Sequence, residues 1–249
     1  MREQATMIEM LGAQSSHPID YHIAVVIPAL DEESSIGHVI RSIPESAASE
    51  VIVVNNGSRD RTAEIAHQAG VTVLTEPRRG YGHACLLGIA HAIRNEADII
   101  VFLDGDYSDY PEELPDILRP IIKDGYDMVI GSRMIGRREL GALLPQALFG
   151  NWLACFLIRL FWGYRFTDLG PFRAVRVDAL QRMKMKDPTY GWTVEMQIKA
   201  AKLKLRCTEV PVRYRKRIGS SKVTGTISGT INASVKILYT IFKYLWVKA

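Results

Sequence analysis

"HIAVVIPALDEESSIGHVIRSIPESAASEVIVVNNGSRD", residues 22–60, sets two short apolar runs rich in β-branched residues on either side of a helical pattern. Ile23 to Ile27 is continuous and is stopped by Pro28, as expected of a strand buried on both faces. Ile36, Val39, Ile40 and Ile43 recur at helical spacing, with Ser34 and Ser35 available as caps. The second run ends in the polar turn Asn55-Asn56-Gly57. Strand, helix and strand in this order make a βαβ unit, which requires a parallel sheet.

The alternation continues outward. Strands are expected at 71–74, 98–103 and 127–132, with helices over 83–94 and 112–123. The fold class is therefore α/β, a doubly wound and mostly parallel sheet. Ligands of such sheets bind beyond the carboxyl ends of the strands, where Asp31, Asn55, Asn56, Asp104 and Asp106 fall. From about residue 134 the pattern is less regular: an apolar stretch at 148–164, a strand-like run at 171–177, a helix around 192–203 and a basic segment at 206–217. These read as an extension of the same unit. The expected organisation is a flexible leader over 1–21, one domain over 22–226 and an amphipathic C-terminal helix over 227–249.

A chain of 249 residues with 47% hydrophobic content is enough for one large core. Lys and Arg exceed Asp and Glu by 31 to 27, too slight an excess to point to nucleic acid, and none is expected as a partner. Cys85, Cys155 and Cys207 are widely spaced with no CxxC pair, and the N-terminus lacks a signal-peptide core, so a reduced cytoplasmic protein is expected.

Asp104 and Asp106, in "FLDGD", end a greasy strand one residue apart. Two such carboxylates suit a hard divalent cation that also takes phosphate oxygens. A pair this short also reads as a cap for the turn and the helix after it, and alone it does not decide. Asp109, just before Pro111, reads as a cap and is left outside the metal shell.

Other segments join this one in order. "VVIPALDEE" (25–33), "VIVVNNGSRDRT" (51–62), "RRGYGHACLLGIAHA" (78–92), "FLDGD" (102–106), "MVIGSRM" (128–134), "TDLGPFRAV" (167–175) and the run from Gly191 to Gly225 together resemble the family 2 glycosyltransferases over roughly residues 22–223. The later segments are similar to the branch containing the dolichyl-phosphate mannose and glucose synthases. The resemblance implies a nucleotide-diphospho-sugar transferase (GT-A) fold. It also implies inverting, metal-dependent transfer of a hexose from a nucleotide-diphosphate sugar to a polyprenyl phosphate, dolichyl or undecaprenyl.

Residue by residue, it implies that Pro28, Ala29, Leu30, Asp31 and Glu33 line the nucleotide side, with Asn55, Asn56 and Gly80 on the same donor side. Asp104 and Asp106 would face ribose and metal-diphosphate, with Asp106 as ligand to Mg²⁺ or Mn²⁺. The family often has two acids where this chain has Asn55 and Asn56. A carboxamide still pairs with a base edge but loses a charge-assisted bond, and Asn55-Asn56-Gly57 also reads simply as a tight turn. Gly80 too reads as a backbone turn.

A phosphate acceptor, with a second pKa of roughly 6, attacks without a base, whereas a hydroxyl acceptor needs one. Glu195 is the candidate base and Asp168 the next. Either also reads as an acid paired with a cation, Glu195 with Lys199 at i+4. The second half carries a basic run, Arg217 included, and Arg133, Arg173, Arg215 and Lys222 are the expected acceptor-phosphate contacts.

The apolar run from Trp152 to Ile158 is far short of the roughly 20 residues that span a bilayer. Ile231, Val235, Leu238, Phe242 and Leu245 form a stripe among lysines, which suits a helix lying in a membrane surface. Packing on the domain, or on a second subunit of a homo-oligomer, is the other reading. The expected protein is peripheral on the cytoplasmic face of a membrane. Transfer to a hydroxyl acceptor, and a non-catalytic nucleotide-binding protein at the membrane, stand as alternatives.

Overall fold

The computed structural model describes residues 21–219 and 227–247. Strands β1 (Ile23–Ala29), β2 (Glu50–Asn55), β3 (Thr72–Thr75), β4 (Ile99–Phe102), β5 (Met128–Ser132), β6 (Arg173–Arg176) and β7 (Cys207–Pro211) form one sheet in the order β3-β2-β1-β4-β6-β5-β7. β6 runs antiparallel to both β4 and β5, and the other pairings are parallel. The second half is thus woven into the sheet, with β6 between two strands of the first half and β7 on the far edge.

Alternation within the strands explains their continuous apolar runs. Ile23, Val25, Ile27 and Ala29 of β1 enter one core with α1 (Ile36–Ser42) and α4 (Leu114–Asp124). Ala24 and Val26 enter the opposite core with α3 (Tyr81–Arg94), α5 (Pro145–Trp162) and α7 (Trp192–Lys202). Both faces are covered, so neither set of alternate residues is free to be polar. Gly88 lets α3 lie against β1: a Cβ there would sit 2.4 Å from Val26 Cγ1. Phe102 of β4 meets Trp192 of α7 edge-on at 5.9 Å between ring centroids. Helices α2 (Thr62–Gln68) and α6 (Val177–Met183) complete the flanks.

The expected elements fall within a few residues of the observed ones. The apolar stretch at 148–164 is α5, entered through Pro145 at its first turn and closed by Gly163 at φ +76°. The final helix, α8 (Ile227–Trp246), is not a free appendage. Its residues Thr240, Ile241 and Tyr244 are buried, and it packs on α5 and α7, while Ile231, Val235, Tyr239, Phe242 and Leu245 stay exposed. The expected leader, all but Tyr21, lies outside the described residues.

Candidate active site

The carboxyl ends of β1, β2 and β4 open on a cavity of about 490 Å³, a size that suits a small-molecule ligand. Pro28, Ala29 and Leu30 line it, with Asn56, Gly80, Asp104 and Asp106. Glu32, Arg79, Tyr81, Thr189, Tyr190 and Arg217 line it as well, and the sequence had not marked them for the donor.

The turn after β1 separates its acids. Asp31 takes φ +50°, and its Oδ1 accepts from Arg59 N at 2.8 Å while its own N–H donates to Ser58 Oγ at 3.0 Å. Glu33 Oε2 accepts from Arg61 N at 3.1 Å. Asp31 and Glu33 therefore tie the first turn to the second, and Glu32 between them faces the cavity.

The two asparagines serve the backbone. Asn55 Oδ1 accepts from Ser58 N at 3.0 Å, closing a tight turn with Gly57 at φ +82°. Buried Asn56 donates to the carbonyls of Glu76 and Arg78 at 3.1 and 2.8 Å and accepts from Gly80 N at 2.7 Å. Its carboxamide thereby fixes the 76–80 loop, leaving the base-edge role expected of it without free hydrogen-bonding groups on the amide nitrogen. Gly80 has φ +142°, and a Cβ there would lie 2.2 Å from Pro188 O, so this position admits only glycine.

Asp104 Oδ1 is buried with no hydrogen-bond partner among the described residues. Burial, and then the Asp106 carboxylate, push its acid up to about 7. Asp106 is held: Oδ1 accepts from Ser108 N at 2.9 Å and Ser108 Oγ at 2.5 Å, and Oδ2 lies 3.1 Å from Arg217 Nη1. Arg217 also reaches Glu32 Oε1 at 2.7 Å, so one guanidinium joins the acids of two turns. Asp109 does not cap. Both of its carboxyl oxygens are buried and unpartnered among the described residues, and burial, then Asp104 and Asp106, push its acid well up.

The expected acceptor-phosphate residues are dispersed. Arg133 makes a two-pronged pair with Asp168, Nε to Oδ2 at 2.8 Å and Nη2 to Oδ1 at 2.7 Å, which also accounts for Asp168. Arg173 is a correction: it is fully buried, donating to the carbonyls of Gly170, Thr193 and Leu169, and presents no face to a phosphate. Burial lowers its guanidinium to about 10. Arg215 lies over the rings of Tyr107 and Tyr110 and donates to the carbonyls of Tyr107 and Asp109, clamping the acidic loop from outside. Lys222 lies outside the described residues.

Glu195 is likewise relocated. It is completely buried at the start of α7, accepting from Lys186 N, Asp187 N, Lys199 Nζ and Tyr244 Oη, and it does not line the cavity. The pairing with Lys199 is realised and the open base is not. Among the described residues no three His, Cys, Asp or Glu side chains converge as a ready-made metal cage. Two carboxylates facing a cavity of this size fit a cation of the Mg²⁺ type that completes its shell with substrate phosphate and water.

Residues 24–183 match the family described as glycosyl transferase family 2. The chain is 32% identical to a dolichyl-phosphate hexose transferase of Haloferax volcanii over 81% of this chain and 86% of that one. It is 29% identical to an undecaprenyl-phosphate mannosyltransferase of Micrococcus luteus over 83% and 89%. In structure it is similar to the glucosyl-3-phosphoglycerate synthase of Mycobacterium tuberculosis, solved with phosphoglyceric acid, with a TM-score of 0.73 and 22% identity over 92% and 82% of the two chains. That likeness gives the fold as the GT-A type.

Proposed function

The chain belongs to glycosyl transferase family 2, and from that premise we propose that it moves a hexose, with inversion, from a nucleotide-diphosphate sugar to a polyprenyl phosphate at a membrane surface. The observation that carries the reading is Asp104 and Asp106 at the end of β4, opening on one cavity with the cation Arg217 between Asp106 and Glu32. The names of the relatives from Haloferax volcanii and Micrococcus luteus supply the acceptor class.

Asp104 and Asp106 are the residues to hold Mg²⁺ or Mn²⁺, which when bound supplies positive charge against the departing diphosphate. Pro28, Ala29 and Leu30 bound the nucleotide side. An acceptor phosphate oxygen forms its bond to the anomeric carbon as the bond to the donor diphosphate breaks on the opposite face. The nucleoside diphosphate leaves with the electron pair. Such an acceptor is already ionised near neutrality and needs no base. Both candidate bases support this choice over a hydroxyl acceptor, because Glu195 and Asp168 are buried in ion pairs.

The membrane reading is supported by two neighbouring helices. Phe149, Trp152 and Phe156 of α5 stack along its exposed face, and Phe161 meets Phe242 of α8 at 6.1 Å between centroids. Neither helix contains an acid, while Arg159 and Lys243 are exposed among these rings. An apolar face ringed by cations matches an anionic lipid surface and repels a second copy of itself. No helix among the described residues is long and apolar enough to cross a membrane. The cytoplasmic face is the side on which a nucleotide-sugar donor is to be met.

Purified protein incubated with UDP- and GDP-hexoses, a polyprenyl phosphate and alcohol acceptors tests the reading by mass spectrometry. A polyprenyl-phosphate hexose, formed only with divalent cation, is the expected product. Sugar found on an alcohol alone, or donor binding without turnover on any acceptor, overturns it.

A further inference from the structure

Thr189 and Tyr190 line one side of the cavity, on a loop that leads from α6 to α7. That loop has no regular structure, yet it is pinned from both sides. On the cavity side Pro188 O accepts from His83 N at 3.1 Å, and Cβ atoms built on Gly80 and Gly82 would lie 2.2 and 1.9 Å from the carbonyls of Pro188 and Asp187. The loop therefore rests directly on the turn that opens α3.

On the other side the loop is held through α8. The buried Glu195 carboxylate accepts from the amides of Lys186 and Asp187, at 3.1 and 2.7 Å, and from Tyr244 Oη of α8 at 2.5 Å. Asp187 divides its carboxylate: Oδ1 accepts from Thr189 N at 2.8 Å and Gly191 N at 3.2 Å, and Oδ2 pairs with Lys236 Nζ of α8 at 2.9 Å. Between these points Gly191 allows close approach, since a Cβ there would lie 2.6 Å from Thr240 Oγ1. The middle of α8 at Lys236 and its last turn at Tyr244 thus both bear on Asp187, whose Oδ1 holds the cavity-lining Thr189.

We propose that Glu195 and Asp187 are positioning residues that splint the donor-cavity wall at Thr189 and Tyr190 to α8, so that whatever seats α8 tightens binding of the nucleotide-diphosphate donor. Glu195 acts here through the 186–187 amides and touches no reacting atom. The coupling is reciprocal by thermodynamic necessity: donor that orders the loop must also favour the seated helix. Because α8 carries the apolar outer face, the helix that meets a surface and the helix that braces the cavity are the same.

The inference rests on the donor reading of the cavity for its affinity arm only. Its test compares the wild-type chain with Tyr244→Phe, Lys236→Ala and Asp187→Asn, the last keeping the Oδ1 acceptor for Thr189 and Gly191. Hydrogen exchange is read at peptides spanning 186–191 and at the sheet. Affinity is read for UDP and GDP with Mn²⁺, with and without vesicles of phosphatidylglycerol.

Exchange at 186–191 is expected to rise about tenfold in each variant while the β1 and β4 amides stay protected. Nucleotide affinity is expected to fall three- to tenfold in each, with the effects of Asp187→Asn and Lys236→Ala not additive. Vesicles should tighten nucleotide binding in the wild type and not in Lys236→Ala. Glu195→Gln is expected to raise KM for the donor more than it lowers kcat, whereas a loss confined to kcat makes Glu195 a base and overturns the proposal. Unchanged exchange at 186–191 in all the variants overturns it as well, whatever the nucleotide result. Raised exchange in the variants, beside a wild type that binds neither nucleotide, leaves the splint standing and overturns the donor reading instead.

Discussion

Arg217 Nη1 lies 3.1 Å from Asp106 Oδ2, so the second acid of the β4 turn is met by a cation that comes from beyond β7, more than a hundred residues later in the chain. The same guanidinium pairs with Glu32 at 2.7 Å. Removing it takes from Asp106 and Glu32 the cation they share. Arg217→Ala is expected to lower kcat/KM about a hundredfold or more, as loss of a fixed charge beside a developing anion does. Arg217→Lys should recover part of the loss. Steady-state rates with the donor panel check this, and unchanged rates in the alanine variant remove Arg217 from the site.

Asp106→Asn keeps an oxygen for the Ser108 contacts and removes the charge together with the Oδ2 that meets Arg217. Turnover is expected to fall by several kcal/mol in transition-state terms, against about 1 kcal/mol of stability for a lost cap. Asp104→Asn should behave nearly as badly. Thermal unfolding measured beside the rates separates the two roles, because a large fall in Tm with small loss of rate is the signature of a cap.

The Asp104 acid is pushed up to about 7 from an ordinary value of 3.8, first by burial and then by Asp106. Between those values the folded protein holds a proton that the unfolded chain has lost. Stability from this group is therefore greatest at low pH and declines as pH rises through the window, the reverse of an ion-paired carboxylate. Cation binding to the carboxylate should strengthen over the same range, with a proton released. Unfolding curves and Mn²⁺ titrations with UDP from pH 5 to 8 read both effects, and Asp104→Asn should flatten them. An equal slope in wild type and variant refutes the assignment.

Arg173→Met removes a buried cation whose donors meet the carbonyls of Gly170, Thr193 and Leu169, and it leaves those carbonyls unpaired. The expected result is a stability loss of about 3 kcal/mol, of the order of other broken buried polar clusters. The apparent KM for lipid phosphate should not rise selectively in whatever fraction stays folded. A selective rise in that KM with Tm preserved returns Arg173 to the acceptor.

What the sequence displayed, and what it hid, follow from the range of the interactions. β1, β2 and β4 were legible because burial on both faces writes itself as a continuous apolar run, and the acids beyond them because a strand end beside carboxylates is a local pattern. The reversed direction of β6 was not, since its four residues carry no mark of direction. Glu32 was hidden by a backbone turn: Asp31 at φ +50° sends its neighbours elsewhere than simple alternation predicts. Arg173 and Glu195 have family-like surroundings in sequence, yet their partners come from loops, from α7 and from α8, and only tertiary packing shows that both are sealed. The Asn55-Asn56-Gly57 turn was the opposite case, where the plain reading as a tight turn matches the observed bonds.

The last prediction concerns the face that α5 and α8 share. Trp152 and Phe156 stack at 5.7 Å between centroids, and Phe242 and Trp246 lie exposed on the neighbouring helix. Each large side chain taken out of water is worth roughly 1.5–3 kcal/mol, so a few of them outweigh the screened attraction of Arg159 and Lys243. Replacing Trp152, Phe156, Phe242 and Trp246 with serine leaves the buried Ile241 and Tyr244 in place and should spare the fold. Sedimentation with phosphatidylglycerol vesicles is expected to drop more than tenfold, whereas 0.5 M salt should weaken the wild type only in part. If sedimentation persists in the serine variant while a dimer of the wild-type chain is lost, the face joins two subunits and the membrane contact lies elsewhere.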